Sequence, residues 1–328
     1  MKVHYDIDHL PLFKNAVVTI GTFDGVHTGH LQIISQLKKE AVNIGGETVI
    51  ITFDPHPRMI LHAEKKHPGG IKLINTLEEK IELLSKKGID HLVVVPFTAS
   101  FSEQSAEEYI RDFLVTKFHP HTIIIGYDHR FGKNRKGDYK LLESYQSEGN
   151  FMVKEIPEYV LNNLIISSTI IRKALNEGDI KTANEYLGYN YFFEGIVIEG
   201  NKLGNTIGYP TTNLQITDPN KLVPGNGVFA VKISILNQPQ DIPGNSFHSP
   251  AITFLNGMMN IGIRPTIGGT MRVIEVNMFD FNQNLYGTNL RIYMHHFLRA
   301  EMKFDGLDSL KAQLAIDKID AIKLLKFS

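Results

Sequence analysis

Short apolar runs alternate with stretches of helical period through the first half of the chain. The runs are Ala16–Ile20, Thr48–Phe53, His91–Pro96, Thr122–Ile125 and Phe151–Ile156. Between them, apolar residues recur at helical spacing in three sets, namely Leu31, Ile34 and Leu37, then Leu77, Ile81 and Leu84, and then Tyr109, Ile110 and Phe113. Buried strands separated by helices predict an α/β fold, a parallel sheet with helices on both sides. Such folds bind ligands beyond the carboxyl ends of their strands.

The pattern changes near residue 188, where Gly, Pro, Asn and Thr become frequent. Short β-branched runs recur there at Phe192–Ile198, Val228–Ile235, Ala251–Phe254, Val273–Phe279 and Leu290–Met294. Short strands separated by turn residues predict a small antiparallel barrel or sandwich. Helical spacing over Leu307–Leu325 predicts a final helix that caps it, and the prolines of Asn237–Pro250 predict a loop.

Composition narrows the class of protein. A chain of 328 residues is long enough for two domains, and 42% hydrophobic residues can build an ordinary core. The 34 Lys and Arg balance the 35 Asp and Glu, so we expect neither nucleic acid nor an anionic membrane as a partner. The absence of cysteine excludes thiolate zinc sites and a cysteine nucleophile. With acids and histidines at the N-terminus and no long apolar run, we expect a cytoplasmic protein.

A glycine-rich turn joins the first predicted strand to the first predicted helix. It reads Gly21-Thr22-Phe23-Asp24-Gly25-Val26-His27-Thr28-Gly29-His30. Gly29 allows close approach to the backbone, and a helix N-terminus offers N–H groups that suit phosphate. Imidazoles there could stabilise charge developing on a phosphoryl group. The HxxH spacing alone is more often a structural pair, and it is an incomplete zinc set.

Three hydroxyl residues open a later predicted helix, and an arginine follows one turn on. The segment reads Ile166-Ser167-Ser168-Thr169-Ile170-Ile171-Arg172. Serine and threonine at a helix start are ordinary caps. Followed by arginine, they also predict a second phosphate-binding cradle.

The pair of HxGH and ISSTxxR motifs, in this order at the two ends of one α/β domain, resembles the nucleotidyltransferase superfamily. Within it, the chain is similar to the adenylyltransferase domain of bacterial bifunctional riboflavin kinase/FAD synthetases. The further matching runs are Phe23–His27, Thr52–Pro57 and Gly126–Gly132 with Gly137-Asp138. The resemblance covers nearly all of 1–185 and implies a Rossmann-like nucleotidyltransferase domain over residues 1–186.

This resemblance implies roles at individual positions. His27 and His30 become catalytic residues that contact ATP phosphates. The implied ATP- and phosphate-binding residues are Gly21, Phe23, Asp24, Gly29, Ser167, Ser168, Thr169 and Arg172. Asp128, Arg130 and Phe131 belong to a loop near the flavin and the nucleotide. In the family's reaction an FMN phosphate oxygen attacks the α-phosphorus of ATP, and positioning and charge neutralisation carry the rate.

A second candidate site lies in the other half of the chain. Three glycines, Gly200, Gly204 and Gly208, stand within nine residues and allow the backbone to fold around phosphate, although the Walker A ending is missing. By itself such a stretch is more often a flexible hairpin. Glu275 alternates with apolar neighbours on a predicted strand. An inward-facing acid is costly unless it is paired or useful, and periodicity leaves open that Glu275 is simply an exposed acid on the other face.

This half is similar to riboflavin kinase domains, whose pattern runs from a glycine-rich flap through PTAN to a later glutamate. Residues 210–213 read PTTN here. The resemblance runs from about residue 190 to the end and implies a small antiparallel β-barrel riboflavin kinase domain with a C-terminal helix over 187–328. It implies a flap of Gly200, Lys202, Gly204 and Gly208, Mg²⁺ contacts at Thr211 and Asn213, and Glu275 as general base.

Together the two resemblances imply ATP-dependent phosphorylation of riboflavin to FMN, then adenylylation of FMN to FAD. The implied partners are riboflavin, FMN, FAD and ATP/ADP, with Mg²⁺ as cofactor; a homo-oligomer is left open. The sequence departs from the family at His129, usually Phe, at Asn205, usually Arg, and in a long segment over 237–259. Two alternatives remain: a riboflavin kinase whose first domain is inactive or adenylylates another phosphate ester, and a flavin carrier without turnover.

Overall fold

A computed structural model describes residues 1–61, 70–156, 166–199, 208–236, 254–266 and 269–326. The chain forms two compact units, Met1–Ser168 and Thr169–Ser328. The functional boundary at residue 186 stays a prediction. Three predicted flap residues, Gly200, Lys202 and Gly204, lie outside the described residues, as does the predicted loop over 237–250.

A parallel sheet of six strands organises the first unit. Its strands are β1 (Lys2–His4), β2 (Val17–Ile20), β3 (Thr48–Asp54), β4 (His91–Pro96), β5 (Thr122–Gly126) and β6 (Met152–Ile156). Their order is β1-β4-β3-β2-β5-β6, and every neighbouring pair is parallel. The predicted Rossmann-like sheet is therefore confirmed. The order reverses between β2 and β5, so a crevice at their carboxyl ends is the expected binding place.

Helices and short turns connect these strands. They are α1 (Thr28–Ile44), α2 (Pro57–Leu61), α3 (Leu77–Ser85), α4 (Ala99–Ser102), α5 (Ala106–Glu108), α6 (Thr116–Phe118), α7 (Tyr139–Ser144) and α8 (Gln146–Gly149). The third set of helical spacing falls entirely on a π-helix, Tyr109–Val115, between α5 and α6. There Thr116 donates its hydroxyl to the Arg111 carbonyl at 2.7 Å, which accompanies the wider turn.

A closed antiparallel barrel forms the second unit, so of the two predicted architectures it is the barrel that occurs. Its strands are β7 (Phe192–Ile198), β8 (Thr212–Ile216), β9 (Gly227–Leu236), β10 (Phe254–Thr266), β11 (Gly269–Met278) and β12 (Asn289–Arg299). The order around the barrel is β10-β11-β8-β7-β12-β9. Strand β9 pairs with both β12 and β10 and thereby closes the barrel.

Three strand predictions in this unit were too short, and β8 was not predicted. Strand β11 begins at Gly269, whereas the predicted run began at Val273. The predicted run Ala251–Phe254 meets β10 only at Phe254, because residues 251–253 lie outside the described ranges. Strand β10 continues through Gly257, Gly262 and Pro265, which conceal the strand pattern. Strand β12 runs on to Arg299 instead of ending at Met294.

Three helices complete the described chain: α9 (Ser168–Glu177), α10 (Ile180–Leu187) and α11 (Leu307–Leu325). Helix α11 coincides with the predicted cap. Its Ala321 and Leu325 pack in a buried cluster with Ala230, Met258 and Phe279. None of the helices in the described ranges is long and apolar enough to cross a membrane.

Candidate active sites

The turn after β2 has a strained backbone. Phe23 has φ +48°, Gly25 has φ +92° and Val26 has φ +38°. A β-branched residue rarely adopts a left-handed conformation, and such strain persists only where neighbours hold it. Here the buried Asp24 accepts hydrogen bonds at Oδ1 from the N–H groups of Ile74, at 3.0 Å, and Asn75, at 3.2 Å. The turn is thus built into the first unit as a rigid feature.

The two histidines of this turn form one assembly at the start of α1. His27 is the N-cap, and its Nδ1 accepts from the His30 N–H at 3.4 Å. Because Nδ1 is the acceptor, a neutral His27 carries its proton on Nε2, which becomes a donor. The two rings stack with centroids 3.7 Å apart. A Cβ at Gly29 would lie 3.2 Å from the His27 ring, so glycine here permits this close arrangement.

Burial lowers the pKa of His30 well below its usual value, and electrostatic interactions with His27 and Lys80 lower it further. His30 therefore stays a neutral imidazole at physiological pH. Its Nδ1 is buried and has no hydrogen-bond partner among the described residues. The Phe23 ring lies beside it, with centroids 4.9 Å apart. Gly21 gives room to Phe23, because a Cβ there would lie 3.1 Å from that ring.

The second predicted motif meets the first within this unit. Ser168 donates its hydroxyl to the Asp24 carbonyl at 2.8 Å, although the two residues are 144 positions apart. The Ile166 carbonyl lies 3.7 Å from where a Gly29 Cβ would be. Residues 166–168 therefore lie against the histidine turn. Thr169 and Arg172 follow on α9, whose first residue is Ser168.

The loop after β5 is held by contacts between its own residues. Phe131 forms an isolated bridge with Gly137 and is 6% exposed. Its ring stacks on Tyr109 at 5.1 Å. Arg130 pairs with Asp138 at 2.7 Å, while Asp128 is exposed. Phe131 thus anchors the loop, and Asp128 and Arg130 are its accessible side chains.

His129, at a position that the family usually fills with phenylalanine, is held as a neutral ring. Burial lowers its pKa to about 4; the charge of Asp128 acts to raise the pKa, and that of Arg135 acts to lower it. Its Nε2 is buried without a hydrogen-bond partner among the described residues. An uncharged imidazole has the flat shape of the aromatic side chain that it replaces, but it also carries a donor and an acceptor nitrogen.

We expect His129 to make the protein less stable as pH falls from 6.5 towards about 4. The unfolded chain binds a proton at His129 in this window and the folded chain does not, so acid lowers the free energy of unfolding by about 2 kcal/mol at about pH 5 and by about 3 kcal/mol at about pH 4. Urea unfolding at about pH 7 and about pH 5 measures the effect in the native protein and in His129→Phe, which should lose part of the pH dependence. The exposed His9→Phe is the matched control. An unchanged pH dependence in His129→Phe would contradict the prediction.

In the barrel, the predicted base and metal ligand face each other on adjacent strands. Glu275 of β11 pairs directly with Asn213 of β8, which puts both side chains on one face of the sheet, about 5 Å apart at Cβ. Thr211 precedes β8 and is exposed. Glu275 lies on the face opposite to the buried Ile274 and Val276, which is the face of the alternative interpretation as an exposed acid. Its side chain is nevertheless only 21% exposed.

Arg264 of β10 helps to shield Glu275 from solvent, and its Nη2 donates to the Glu275 Oε1 at 2.6 Å. Asn277, two positions further along β11, donates its Nδ2 to the Pro210 carbonyl at 2.7 Å and so fixes the residue before Thr211. Sequence reasoning gave neither residue a role. The strand period of two places Asn277 on the same face as Glu275 and was the available signal.

Asn213 has the property expected of a metal ligand. Its Oδ1 is buried and has no hydrogen-bond partner among the described residues. A buried amide oxygen without a donor is unfavourable, and a hard cation would satisfy it. The flap can be judged only at Gly208, where φ is +82° and a Cβ would meet nothing within 4 Å.

A Rossmann-like unit with a histidine-bearing turn, followed by a closed barrel with an acid–amide pair, defines a two-domain transferase. Family models agree with this division: one described as FAD synthetase matches residues 11–170, and one described as riboflavin kinase matches residues 187–325. The chain belongs to the family of bifunctional riboflavin kinase/FMN adenylyltransferases.

Curated relatives of that description match the chain over nearly its whole length. The protein of Listeria monocytogenes is 37% identical over 93% of this chain and 91% of its own. The protein of Buchnera aphidicola is 38% identical over 94% of each chain, and that of Escherichia coli is 32% identical over 94% and 92%. A solved structure described as a macrolide-efflux protein from Streptococcus pneumoniae shares the fold, with TM-score 0.83, 29% identity and 97% coverage of both chains.

Proposed function

We propose that this chain makes FAD from riboflavin in two ATP-dependent steps, with residues 187–328 phosphorylating riboflavin and residues 1–186 adenylylating FMN. The observations that support this most directly are two contacts, one in each unit, between residues of the predicted motifs. Ser168 contacts the histidine turn in the first unit, and Glu275 faces Asn213 in the second. Neither juxtaposition is needed for a fold alone.

In the adenylyltransferase site the chain binds and orients. The amide groups at the start of α1, with Gly21 and Gly29 leaving the backbone accessible, receive the triphosphate together with Ser167 and Ser168. His27 donates from Nε2, and the neutral His30 supports it by stacking. An FMN phosphate oxygen bonds to the α-phosphorus of ATP, the bond to the β-phosphate oxygen breaks, and pyrophosphate leaves. Asp24, whose carboxylate holds backbone amides, positions the turn.

In the kinase site Glu275 accepts the proton of the riboflavin 5′-hydroxyl as that oxygen bonds to the γ-phosphorus of ATP. ADP leaves with the electron pair of the broken bond, and Glu275 passes the proton to water. Arg264 fixes the carboxylate by a charge-assisted hydrogen bond. Mg²⁺, held by Thr211 and Asn213, would supply neutralisation of the phosphate charge. The unsatisfied Oδ1 of Asn213 fits that cation.

Asn213→Ala should raise the Mg²⁺ concentration needed for half-maximal riboflavin phosphorylation by about tenfold or more, because an oxygen ligand is removed. Adenylylation of added FMN should keep its metal dependence. Both are measured as rates over a Mg²⁺ titration. Gln215→Ala, an exposed amide on the same strand, is the control and should behave as the native chain. An unchanged Mg²⁺ requirement in Asn213→Ala would refute the ligand role.

A product assay tests the function as a whole. The purified chain is supplied with riboflavin, ATP and Mg²⁺, and flavins are separated by chromatography. FMN followed by FAD is the expected result. FMN without FAD would favour the alternative of an inactive or redirected first domain, and no riboflavin-dependent ATP consumption would favour a carrier. We also propose a cytoplasmic location, which the lack of cysteine in this sequence supports.

A further inference from the structure

A buried lysine lies at the carboxyl edge of the parallel sheet. Lys80 of α3 is 6% exposed, and its Nζ donates to the Thr52 hydroxyl at 3.2 Å. Thr52, fully buried at the end of β3, donates in turn to the Thr22 carbonyl at 3.2 Å. A lysine is rarely buried unless it is paired, so this position requires an explanation.

The charges around Lys80 belong to the candidate adenylyltransferase site. Asp24 and Asp54 both attract its ammonium, although burial outweighs them and lowers the pKa of Lys80. Asp24 is 1% exposed and belongs to the turn after β2, and Asp54 ends β3. The positive charge also reaches His30 and lowers the pKa of that imidazole. Among the described residues, the titratable groups acting on His30 are His27, from the same turn, and Lys80.

We propose that Lys80 is a positioning residue of the adenylyltransferase site: through Thr52 it holds the strained turn that carries Phe23, Asp24 and His27, and it places a fixed positive charge beside the histidine pair. This inference rests on the function proposed for the first unit. The contacts that hold the turn include the Lys80–Thr52 relay, the amides of Ile74 and Asn75, and the hydroxyl of Ser168. Lys80 adds a positive charge, which these amides and this hydroxyl lack.

Another buried lysine, Lys221, differs from Lys80 because its contacts are those of a packing residue. Lys221 in the second unit is 3% exposed, and its Nζ lies over the Tyr191 and Phe192 rings at 4.8 and 5.5 Å. Cation–π contacts of this kind are common structural features. Lys80 instead contacts a hydroxyl that supports a candidate phosphate-binding turn, and the charges of Asp24 and Asp54 act to raise its pKa.

The test uses the full chain, with Lys80→Met and Thr52→Val, and with Lys86→Met as control, an exposed lysine at the C-cap of the same helix. FMN adenylylation and riboflavin phosphorylation are measured on each preparation across pH, and circular dichroism reports folding. Lys80→Met should lower kcat for FAD synthesis about a hundredfold, since the turn loses its support. The acidic side of the pH–rate profile for FAD synthesis should move to higher pH in this variant, because the pKa of His30 rises when the neighbouring cation is removed.

Thr52→Val should lower FAD synthesis without moving the acidic side of the pH–rate profile, because the charge remains. Lys86→Met should match the native chain, and riboflavin phosphorylation should be unchanged throughout. A native rate and an unshifted acidic side of the pH–rate profile in Lys80→Met would overturn the inference. If Lys80→Met is unfolded, the inference is tested with Thr52→Val alone. A native rate of FAD synthesis in Thr52→Val would then overturn the proposed role of Lys80. Failure of the native chain to convert FMN to FAD would instead refute the function proposed for the first unit.

Discussion

Replacing Glu275 by glutamine is expected to stop FMN formation while added FMN is still converted to FAD. Glutamine keeps the size of the side chain and a contact to Arg264, but its amide cannot accept the proton of the 5′-hydroxyl. A general base contributes about a hundredfold to ten-thousandfold, so kcat for riboflavin phosphorylation should fall by about a thousandfold. The rate is followed as FMN produced under saturating riboflavin and ATP.

The chain offers a close control for this substitution. Glu194 of β7 is also an acid on a barrel strand, paired with Arg291 at 2.7 Å. Glu194→Gln removes a comparable ion pair without touching the candidate site, and it should leave both activities intact. If Glu275→Gln forms FMN with a kcat near that of the native chain, Glu275 is not the base.

The second large effect is expected from His27→Ala/His30→Ala, which should make FMN accumulate. The double change removes the Nε2 donor and the stacked ring that supports it. Loss of one stabilising donor lowers a rate by about a hundredfold to a thousandfold, so FAD synthesis should fall at least that far. A time course from riboflavin and ATP would show FMN rising to a plateau with little FAD.

His27 is also the cap of α1, and loss of a cap destabilises by about 1 kcal/mol. His27→Asn/His30→Asn retains a capping side chain and separates this effect from loss of the donor. His9→Ala, at an exposed position, controls for histidine removal. Because the rings are in contact, the two single changes should not add to the double change. Undiminished FAD synthesis in both double variants would refute the role of these histidines.

Much of the fold was readable from local pattern. Strands β2 to β6 lie within one residue of the predicted runs at each end, because buried parallel strands are continuous apolar segments. Strand β10 was mostly missed because asparagine, glycine and proline interrupt it, and its pairing with β9 and β11 stabilises it instead. Lys80 is three residues after Leu77 and four before Leu84, so helical spacing places it on the apolar face of α3. That position indicates burial, although lysine itself favours solvent.

The sequence by itself determined the class of both folds, the two motif sets and the chemistry that they imply. Only the tertiary structure decided that the barrel closes, that Glu275 faces Asn213 with Arg264 over it, and that Ser168 reaches the histidine turn. The reason is physical. Periodicity records which side of an element is apolar, whereas strand partners, register and buried hydrogen bonds are set by packing between residues far apart in the chain.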